Sequence, residues 1–344
     1  MLRGTIVGFG RMGITHYSIL NRHPQVKFVA VCDSSGFVRY NAAKYLGVEA
    51  YDDYHKMFRE VKPDFTIAAV PTAMHMDVVK TAILNDAHVF VEKPFTLNPV
   101  QGNELLNLIK GKDLIHQVGY VVRFSDVFRK VKEFMDRKVL GELYKFKLEM
   151  NGPTVLHGAK KSWRSNRNEG GGCLYDFASH GIDLINYLIG PPDTVVGTVF
   201  QRIFSKDVED AVISTFIYKG GLCGNLSVNW SDSSYRKPDN CFEVLGKKGK
   251  IIADLRTLKV FFGQKPDIEG YTQGWNIKYF PSLAKPVRFF VRGFEFTRQL
   301  DYFIDCILNN KPSEICSFDD GLKTDTVIEQ IRENGTRDII NKTN

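Results

Sequence analysis

The first 120 residues alternate between short apolar segments and longer segments with apolar residues at helical spacing. The apolar segments are predicted strands, and strands apolar on both faces, separated by helices, indicate a parallel sheet covered on both sides. The predicted strands are Thr5–Val7, Val26–Cys32, Asp64–Val70, His88–Val91 and Leu114–Val118. The predicted helices are Arg11–Arg22, Phe37–Leu46, a short helix from Asp52 or Asp53 to Glu60, Met74–Leu84 and Pro99–Ile109.

The pattern changes after a predicted helix at Ser125–Lys138. Consecutive strands joined by short turns now predict an antiparallel sheet, and the domain boundary is expected near residue 120. The predicted strands are Tyr144–Asn151, Thr194–Ser205, Asp210–Tyr218, Leu222–Ser231, Cys241–Leu245 and Lys250–Phe262. Further helices are predicted at about Cys173–Ile189, Glu295–Asn309 and Phe318–Asn334.

Composition narrows the class of protein. The 344 residues are 43% hydrophobic and 25% charged, which are ordinary globular values. We expect a cytoplasmic protein, because no apolar run reaches the ~20 residues of a membrane helix, a strand begins almost at the first residue, and the six cysteines form no C-x-x-C motif. The net charge of +7 fits an anionic small ligand at least as well as nucleic acid, and we expect neither nucleic-acid nor membrane partners.

A glycine motif follows the first predicted strand and opens the first helix. It reads Gly8-Phe9-Gly10-Arg11-Met12-Gly13, the G-x-G-x-x-G pattern of dinucleotide-binding sites. Gly8 permits the tight turn, Gly10 lets the backbone approach a pyrophosphate, and Gly13 lets the helix pack closely on the strand.

Asp33 ends the second strand, 33 − 13 = 20 residues after the last glycine, where an acid binds the adenosine ribose. Its carboxylate would repel a 2′-phosphate, and the first basic residue to follow is Arg39. The sequence therefore favours NAD over NADP. The alternative is a set of turn glycines and a capping Asp without a ligand.

Two further constellations carry candidate chemistry. Lys93, in Glu92-Lys93-Pro94, ends a strand at the edge where parallel sheets bind ligands, and could hydrogen-bond a substrate oxygen. Asp176 and His180 are four residues apart, on one face of a helix, and Asp183 follows on the same side. A histidine beside a carboxylate is an oriented base, although a buried structural histidine fits the pattern too. A metal site on these three residues lacks a fourth ligand at suitable spacing, so no metal is expected.

Together these motifs resemble the Gfo/Idh/MocA oxidoreductases over nearly the whole chain. The resemblance also covers Pro71-Thr72-Ala73-Met74-His75, Gly119-Tyr120-Val121-Val122-Arg123-Phe124 and Trp163-Arg164. It implies an α/β fold, with an N-terminal Rossmann parallel sheet (1–120) and a C-terminal substrate-binding and oligomerisation domain (121–344) with an open, mostly antiparallel sheet. The outer face of that sheet is expected to form a homodimer or homotetramer interface.

The resemblance also implies roles for individual residues. The catalytic set is Lys93, Asp176 and His180. Cofactor-binding residues are expected at Gly8, Phe9, Gly10, Arg11, Met12, Gly13, Asp33, Ser34, Val70, Pro71, Thr72, His75, Glu92, Lys93, Trp163 and Arg164. Substrate-binding residues are expected at Lys93, Tyr120, Arg123, Asp176, His180 and Asp183.

The function expected is NAD-dependent oxidation of a secondary hydroxyl of a sugar, cyclitol or nucleotide-sugar, or reduction of the matching ketone. Either Lys93 or His180 could be the principal proton acceptor. The alternatives are an NAD-retaining glycosidase of the same family and a non-catalytic NAD-binding regulator.

Two stretches depart from the family pattern. Asp86 occupies a left-handed helix-end position that usually holds glycine. The segment Tyr271–Arg292 is aromatic and basic and contains no acidic residue, and Pro281 and Pro286 prevent one continuous helix. One hypothesis places it over the sugar site of its own or a neighbouring subunit, with Arg288 and Arg292 binding an anionic substrate, a nucleotide-diphosphate sugar first and a sugar acid next. The other makes it a docked loop with solvated charges.

Overall fold

The computed structural model describes residues 1–157 and 162–335. They form two compact units. The first comprises Met1–Val121 and Pro286–Asp325, and the second comprises Val122–Lys285 and the chain from Thr326 onward. This differs from the expected partition, because Pro286–Asp325 packs with the first unit. Among the described helices, none has the length and apolar character needed to cross a membrane.

The strands and helices are numbered in chain order. The strands are β1 (Leu2–Val7), β2 (Val26–Cys32), β3 (Glu49–Tyr51), β4 (Phe65–Ala68), β5 (His88–Val91), β6 (His116–Val118), β7 (Leu143–Asn151), β8 (Thr194–Gln201), β9 (Ala211–Ile217), β10 (Cys223–Asn229), β11 (Asp239–Gly246), β12 (Gly249–Ala253), β13 (Thr257–Phe262) and β14 (Gly274–Tyr279). The helices are α1 (Arg11–Leu20), α2 (Gly36–Leu46), α3 (Tyr54–Val61), α4 (His75–Leu84), α5 (Pro99–Ile109), α6 (Asp126–Asp136), α7 (Ser179–Leu188), α8 (Phe280–Leu283), α9 (Phe294–Leu308) and α10 (Phe318–Asn334).

The first unit contains a parallel sheet in the order β3-β2-β1-β4-β5-β6. The predicted parallel sheet is therefore confirmed, and β2, β5 and α5 have the predicted bounds. The three-residue strand β3 was not predicted, because so short a segment shows no periodic pattern. Asp86 has a φ of 54°, the left-handed conformation expected for it.

The second unit contains a sheet in the order β14-β13-β12-β11-β7-β10-β9-β8. Its pairs are antiparallel except β10 with β7, so the mostly antiparallel sheet is confirmed. The segment predicted as one strand, Lys250–Phe262, is two strands separated by a turn. Oδ1 of Asp254 accepts the N–H groups of Arg256 and Thr257 there, which makes the turn.

Helix α9 belongs to the first unit because its apolar face completes that unit's core. Phe303 is fully buried and meets Phe65 and Phe90 edge to face, with ring centroids 6.0 and 5.8 Å apart. Leu300 and Ile304 lie in the same cluster. The C-terminal segment therefore covers strands formed some 200 residues earlier.

Replacing Phe303 with alanine tests this assignment. We expect Phe303→Ala to lower the free energy of unfolding by about 3–5 kcal/mol, because the removed ring leaves a cavity between two strands. The matched control is Phe37→Ala, since that ring is 79% exposed on α2. Denaturant titration of both variants measures the difference, and equal stabilities would contradict the assignment of α9 to this core.

Candidate functional site

The glycine turn between β1 and α1 is shaped by backbone contacts. Gly8 has a φ of +87°, and a Cβ added to it would lie 2.4 Å from the Ala69 carbonyl oxygen. A Cβ at Gly13 would lie 2.1 Å from the carbonyl oxygen of Gly8, whereas one at Gly10 would meet nothing within 4 Å. The helix N-terminus therefore opens on free space at Gly10, which fits a dinucleotide pyrophosphate.

Asp33 holds this turn to the end of β2. Its Oδ2 accepts the Phe9 N–H and its Oδ1 accepts the Ser35 N–H, both at 2.8 Å. Nη1 of Arg39 donates to the carbonyl oxygens of Asp33 and Ser34, also at 2.8 Å. A guanidinium therefore lies beside Asp33, the residue expected to bind the adenosine ribose, a proximity that the separation in sequence did not reveal. We expect selection against a 2′-phosphate to depend on the charge of Asp33.

Buried side chains hold the turn after β4. Thr72 and His75 are buried, although both were expected to bind the cofactor. Nδ1 of His75 lies 2.9 Å from the Pro94 carbonyl oxygen, and Nε2 lies 3.0 Å from that of Val70. Burial lowers the pKa of His75 and keeps the imidazole neutral. Because a neutral imidazole carries one N–H, only one ring nitrogen donates to its facing carbonyl oxygen, and both nitrogens face backbone rather than a ligand.

Glu92 connects the end of β5 to the glycine helix. Its Oε1 lies 2.6 Å from Nε2 of His16, a fully buried residue of α1. Its Oε2 accepts the Lys93 N–H at 3.3 Å. Lys93 therefore leaves the sheet at a point fixed to α1, and it is followed by a cis peptide bond to Pro94. The Tyr120 side chain, expected to touch substrate, is fully buried.

In the second unit, Asp176 lies on a π-helical turn, Leu174–Ala178, that leads into α7 with His180 in its first turn. The helix predicted from Cys173 is therefore π-helical at its start, a feature frequent at functional sites. Nε of Arg164 donates to Oδ2 of Asp176 at 2.7 Å. The Arg164 guanidinium also stacks on the Trp163 ring, 4.5 Å from its centroid. The Trp-Arg motif is thus tied directly to the carboxylate of the expected catalytic set.

Glu209 caps the same turn and was missed in the sequence. Its Oε1 accepts the Leu174 N–H at 2.8 Å, and its backbone carbonyl accepts the Cys173 N–H. Burial raises the pKa of Glu209. Burial also raises the pKa of the Cys173 thiol well above its usual value, so this cysteine is not a nucleophile at neutral pH.

Arg123 and Asp183 form a buried ion pair in place of the substrate contacts expected for them. The guanidinium binds both oxygens of Asp183, through Nε at 3.1 and 2.9 Å and Nη2 at 2.7 Å. Their side chains are 4% and 1% exposed. The pair anchors α7, and breaking such a pair leaves an uncompensated buried charge. Over residues 1–157 and 162–335 there is no cluster of three or more metal-ligating side chains.

Different parts of the segment Tyr271–Arg292 make different contacts. Strand β14 forms the sheet edge, with Trp275 and Tyr279 exposed. Arg288 instead bonds the Ile19 carbonyl oxygen at the end of α1 and pairs with Asp301 of α9 at 2.6 Å. Nη1 of Arg292 lies 3.3 Å from Sδ of Met12, in the glycine motif. The segment therefore does not form a single loop over one site, and the contacts of Arg288 are structural.

Comparison with known proteins agrees with this geometry. Residues 2–120 match the family model described as the oxidoreductase family, NAD-binding Rossmann fold, and residues 128–252 match the GFO/IDH/MocA C-terminal domain. The chain belongs to the GFO/IDH/MocA oxidoreductase family. It is accordingly an NAD-binding oxidoreductase, as expected from the glycine motif and Asp33.

Several named proteins are similar to this chain over most of its length. The scyllo-inositol 2-dehydrogenase (NAD(+)) of Bacillus subtilis (strain 168) is 29% identical over 265 residues, 74% of this chain and 75% of the relative. Levoglucosan dehydrogenase, solved with NADH and levoglucosan, has a TM-score of 0.83 at 19% identity. The WlbA dehydrogenase of Bordetella pertussis, solved with NADH and UDP-GlcNAcA, has a TM-score of 0.80 at 18% identity. Both cover 97% of this chain and 96% of the solved chain, and they show a shared fold.

The geometry at Asp33 generates a prediction about cofactor choice. We expect NAD to bind much more tightly than NADP, and Asp33→Asn to narrow the difference by about tenfold or more. The amide removes the repulsive charge, retains an oxygen for the Phe9 N–H, and leaves the Arg39 guanidinium to attract a 2′-phosphate.

Fluorescence titration with both reduced cofactors measures the ratio, and Arg39→Ala in the Asp33→Asn background is the control. Loss of the gained NADP affinity in the double variant is expected. NADP binding as tight as NAD in the wild type would contradict the role of Asp33.

Proposed function

We propose that this protein oxidises a secondary hydroxyl of a sugar, cyclitol or nucleotide-sugar with NAD, or reduces the matching ketone. One observation carries the proposal. The glycine turn that is open at Gly10 and the end of β5, which leads into Lys93, lie at the same edge of the parallel sheet. The contact between Glu92 and His16 connects them. A cofactor site and a protonatable group are thus fixed to the same sheet edge.

NAD, when bound, accepts or returns the hydride. We propose that Lys93 hydrogen-bonds the reacting oxygen and stabilises its developing negative charge. His180 takes the hydroxyl proton, since an imidazole titrates near neutral pH. Asp176, whose carboxylate Arg164 holds at 2.7 Å, orients His180 or binds a neighbouring hydroxyl. Lys93 and His180 could exchange the role of principal proton acceptor.

The substrate class is supported by the relatives. They include an enzyme named for an inositol and structures solved with an anhydrosugar and with a nucleotide-sugar. All three are polyhydroxylated rings with a secondary hydroxyl. Of the two arginines first considered for an anionic substrate, Arg292 is the one that still fits, because Arg288 is paired with Asp301.

Substitutions at Lys93 and His180 test the catalytic roles. We expect Lys93→Met and His180→Ala each to lower turnover by ~10²-fold or more, the scale of one general acid–base group, while NAD affinity stays within a few fold. The wild-type rate should rise with pH through about neutrality as an imidazole loses its proton. Steady-state kinetics with inositols, anhydrosugars and nucleotide-sugars measures both effects.

Lys27→Met is the control, because Lys27 is exposed on β2. Near-wild-type turnover in either active-site variant would refute the role assigned to that residue.

We also propose a homodimer or homotetramer built on the outer face of the second unit's sheet. The inner face packs Leu148 and Leu226 against Gly181 of α7, whereas Ile213, Ile217 and Phe261 are exposed on the other face. Exposed apolar side chains on this face support a partner there.

Light scattering at micromolar concentration is expected to give twice or four times the chain mass, and Ile213→Lys should lower it. A wild-type monomer would contradict the proposal.

A further inference from the structure

The backbone that follows Lys93 is held from two opposite elements. From α4, Nδ1 of His75 lies 2.9 Å from the Pro94 carbonyl oxygen and 3.3 Å from that of Phe95. From α10, the carboxylate of Asp325 accepts the Thr96 N–H at 2.8 Å. Asp325 is 229 positions away in the sequence, and no motif in the sequence singles it out.

The contacts of the Thr96 hydroxyl indicate where a proton lies. Oγ1 of Thr96 is 2.7 Å from Oδ2 of Asp325 and 2.8 Å from the Asn98 carbonyl oxygen. A hydroxyl has one hydrogen, and a carbonyl oxygen can only accept. Both short contacts are hydrogen bonds only if Thr96 donates to Asn98 and Asp325 donates to Thr96. The second bond requires a proton on Asp325.

The surroundings of Asp325 favour the same protonation state. The residue is 2% exposed, and burial raises the pKa of its carboxyl to about 8. In the described chain, the groups acting on it are Thr96 and Phe95, which are uncharged. Several elements around this turn carry titratable side chains. They are His75, Asp77 and Lys80 on α4, Glu92 and Lys93 before the turn, Glu104 on α5, His116 on β6, and Asp319, Asp320, Lys323, Glu329, Arg332 and Glu333 on α10.

The two histidines do not change charge between pH 7 and about 9. Burial lowers the pKa values of His75 and His116, so both are neutral throughout that range. Glu104 pairs with Lys80, and Asp320 with Lys323, on the outside of the unit.

We propose that Asp325 is a positioning residue, kept as a neutral carboxylic acid, which holds the Pro94–Thr96 backbone and thereby the point from which Lys93 leaves the sheet. The inference rests on the proposed role of Lys93. Ionisation of Asp325 would place a charge in an apolar site and remove the proton donated to Thr96, so the turn loosens as pH rises.

Thermal unfolding across pH tests the protonation state without any substrate. An unfolded Asp ionises near pH 4, whereas folded Asp325 keeps its proton to about 8. The folded state therefore binds more protons at Asp325 in that window, and the contribution of Asp325 to stability falls as pH rises through it. The D325N side chain carries no titrating proton. The melting temperature of D325N minus that of the wild type should therefore increase between about pH 5 and about pH 8 and be constant above.

The matched control is E333Q, which removes an exposed carboxylate from the same helix. It should show a difference from wild type that does not change with pH over this window. A D325N difference that is likewise constant would overturn the proposal, because it would mean that Asp325 is ionised in the folded protein.

Kinetics tests the positioning role. D325N should keep turnover within about twofold at pH 7. D325L leaves the Thr96 N–H without an acceptor and the Thr96 hydroxyl oxygen without a donor, and should lower kcat about tenfold or more with little change in NAD affinity. The ratio of D325N to wild-type kcat should rise between pH 7 and about pH 9. T96V removes only the hydroxyl and serves as the test if D325L does not fold. It should also lower kcat.

The two proposals fail in distinguishable ways. If the wild type oxidises none of the sugars or cyclitols tested, the proposed function fails, while the melting series still decides the state of Asp325. If the wild type is active but the kcat ratio is constant with pH and T96V matches wild type, the positioning role is wrong.

Discussion

The bond between Glu92 and His16 is the constraint on which the rest of the cofactor unit depends. Oε1 of Glu92, the first residue after β5, lies 2.6 Å from Nε2 of His16, a fully buried residue of α1, and α1 is the helix that begins within the glycine motif. A buried imidazole left without this acceptor would cost about 1–3 kcal/mol, so α1 and the end of β5 cannot shift independently. If α1 binds the cofactor phosphates and Lys93 contacts the substrate, as we propose, this bond fixes the position of one relative to the other.

Carboxylates serve the same purpose at the other functional turns. Asp33 binds two backbone N–H groups, and Glu209 binds the first of the π-helical turn. Asp210 accepts three successive N–H groups, from Ile203 to Ser205, and the Trp230 indole N–H. Turns at strand ends have no neighbouring strand to satisfy their donors, and a carboxylate can satisfy several at once. The carboxylates thereby hold the backbone of these segments by hydrogen bonds to its N–H groups.

Much of the fold follows from the sequence because the signals are local. Periodicity sets β2 and β5, a capping Asn and a Pro begin α5, and the spacing from Gly13 to Asp33 finds the cofactor acid. The pairs that organise the site are not local. Arg123 meets Asp183 across 60 positions, and Thr96 meets Asp325 across 229. A single sequence shows that these residues are polar, but not that they are buried together, and so Arg123 and Asp183 were expected to face a substrate.

The difference between local signals and contacts distant in the sequence also explains why substrate identity is the property that the sequence predicts least well. The basic charge of Tyr271–Arg292 suggested an anionic substrate, but Arg288 is occupied by Asp301 and Ile19, where it ties α1 to α9. Only Arg292 reaches the glycine motif, and burial, together with the charge of Arg11, lowers its pKa. Two guanidiniums that repel each other beside a helix N-terminus favour a nearby anion. The pyrophosphate of a dinucleotide at the glycine turn would be such an anion, so the charge at Arg292 supports cofactor affinity before it supports an anionic substrate.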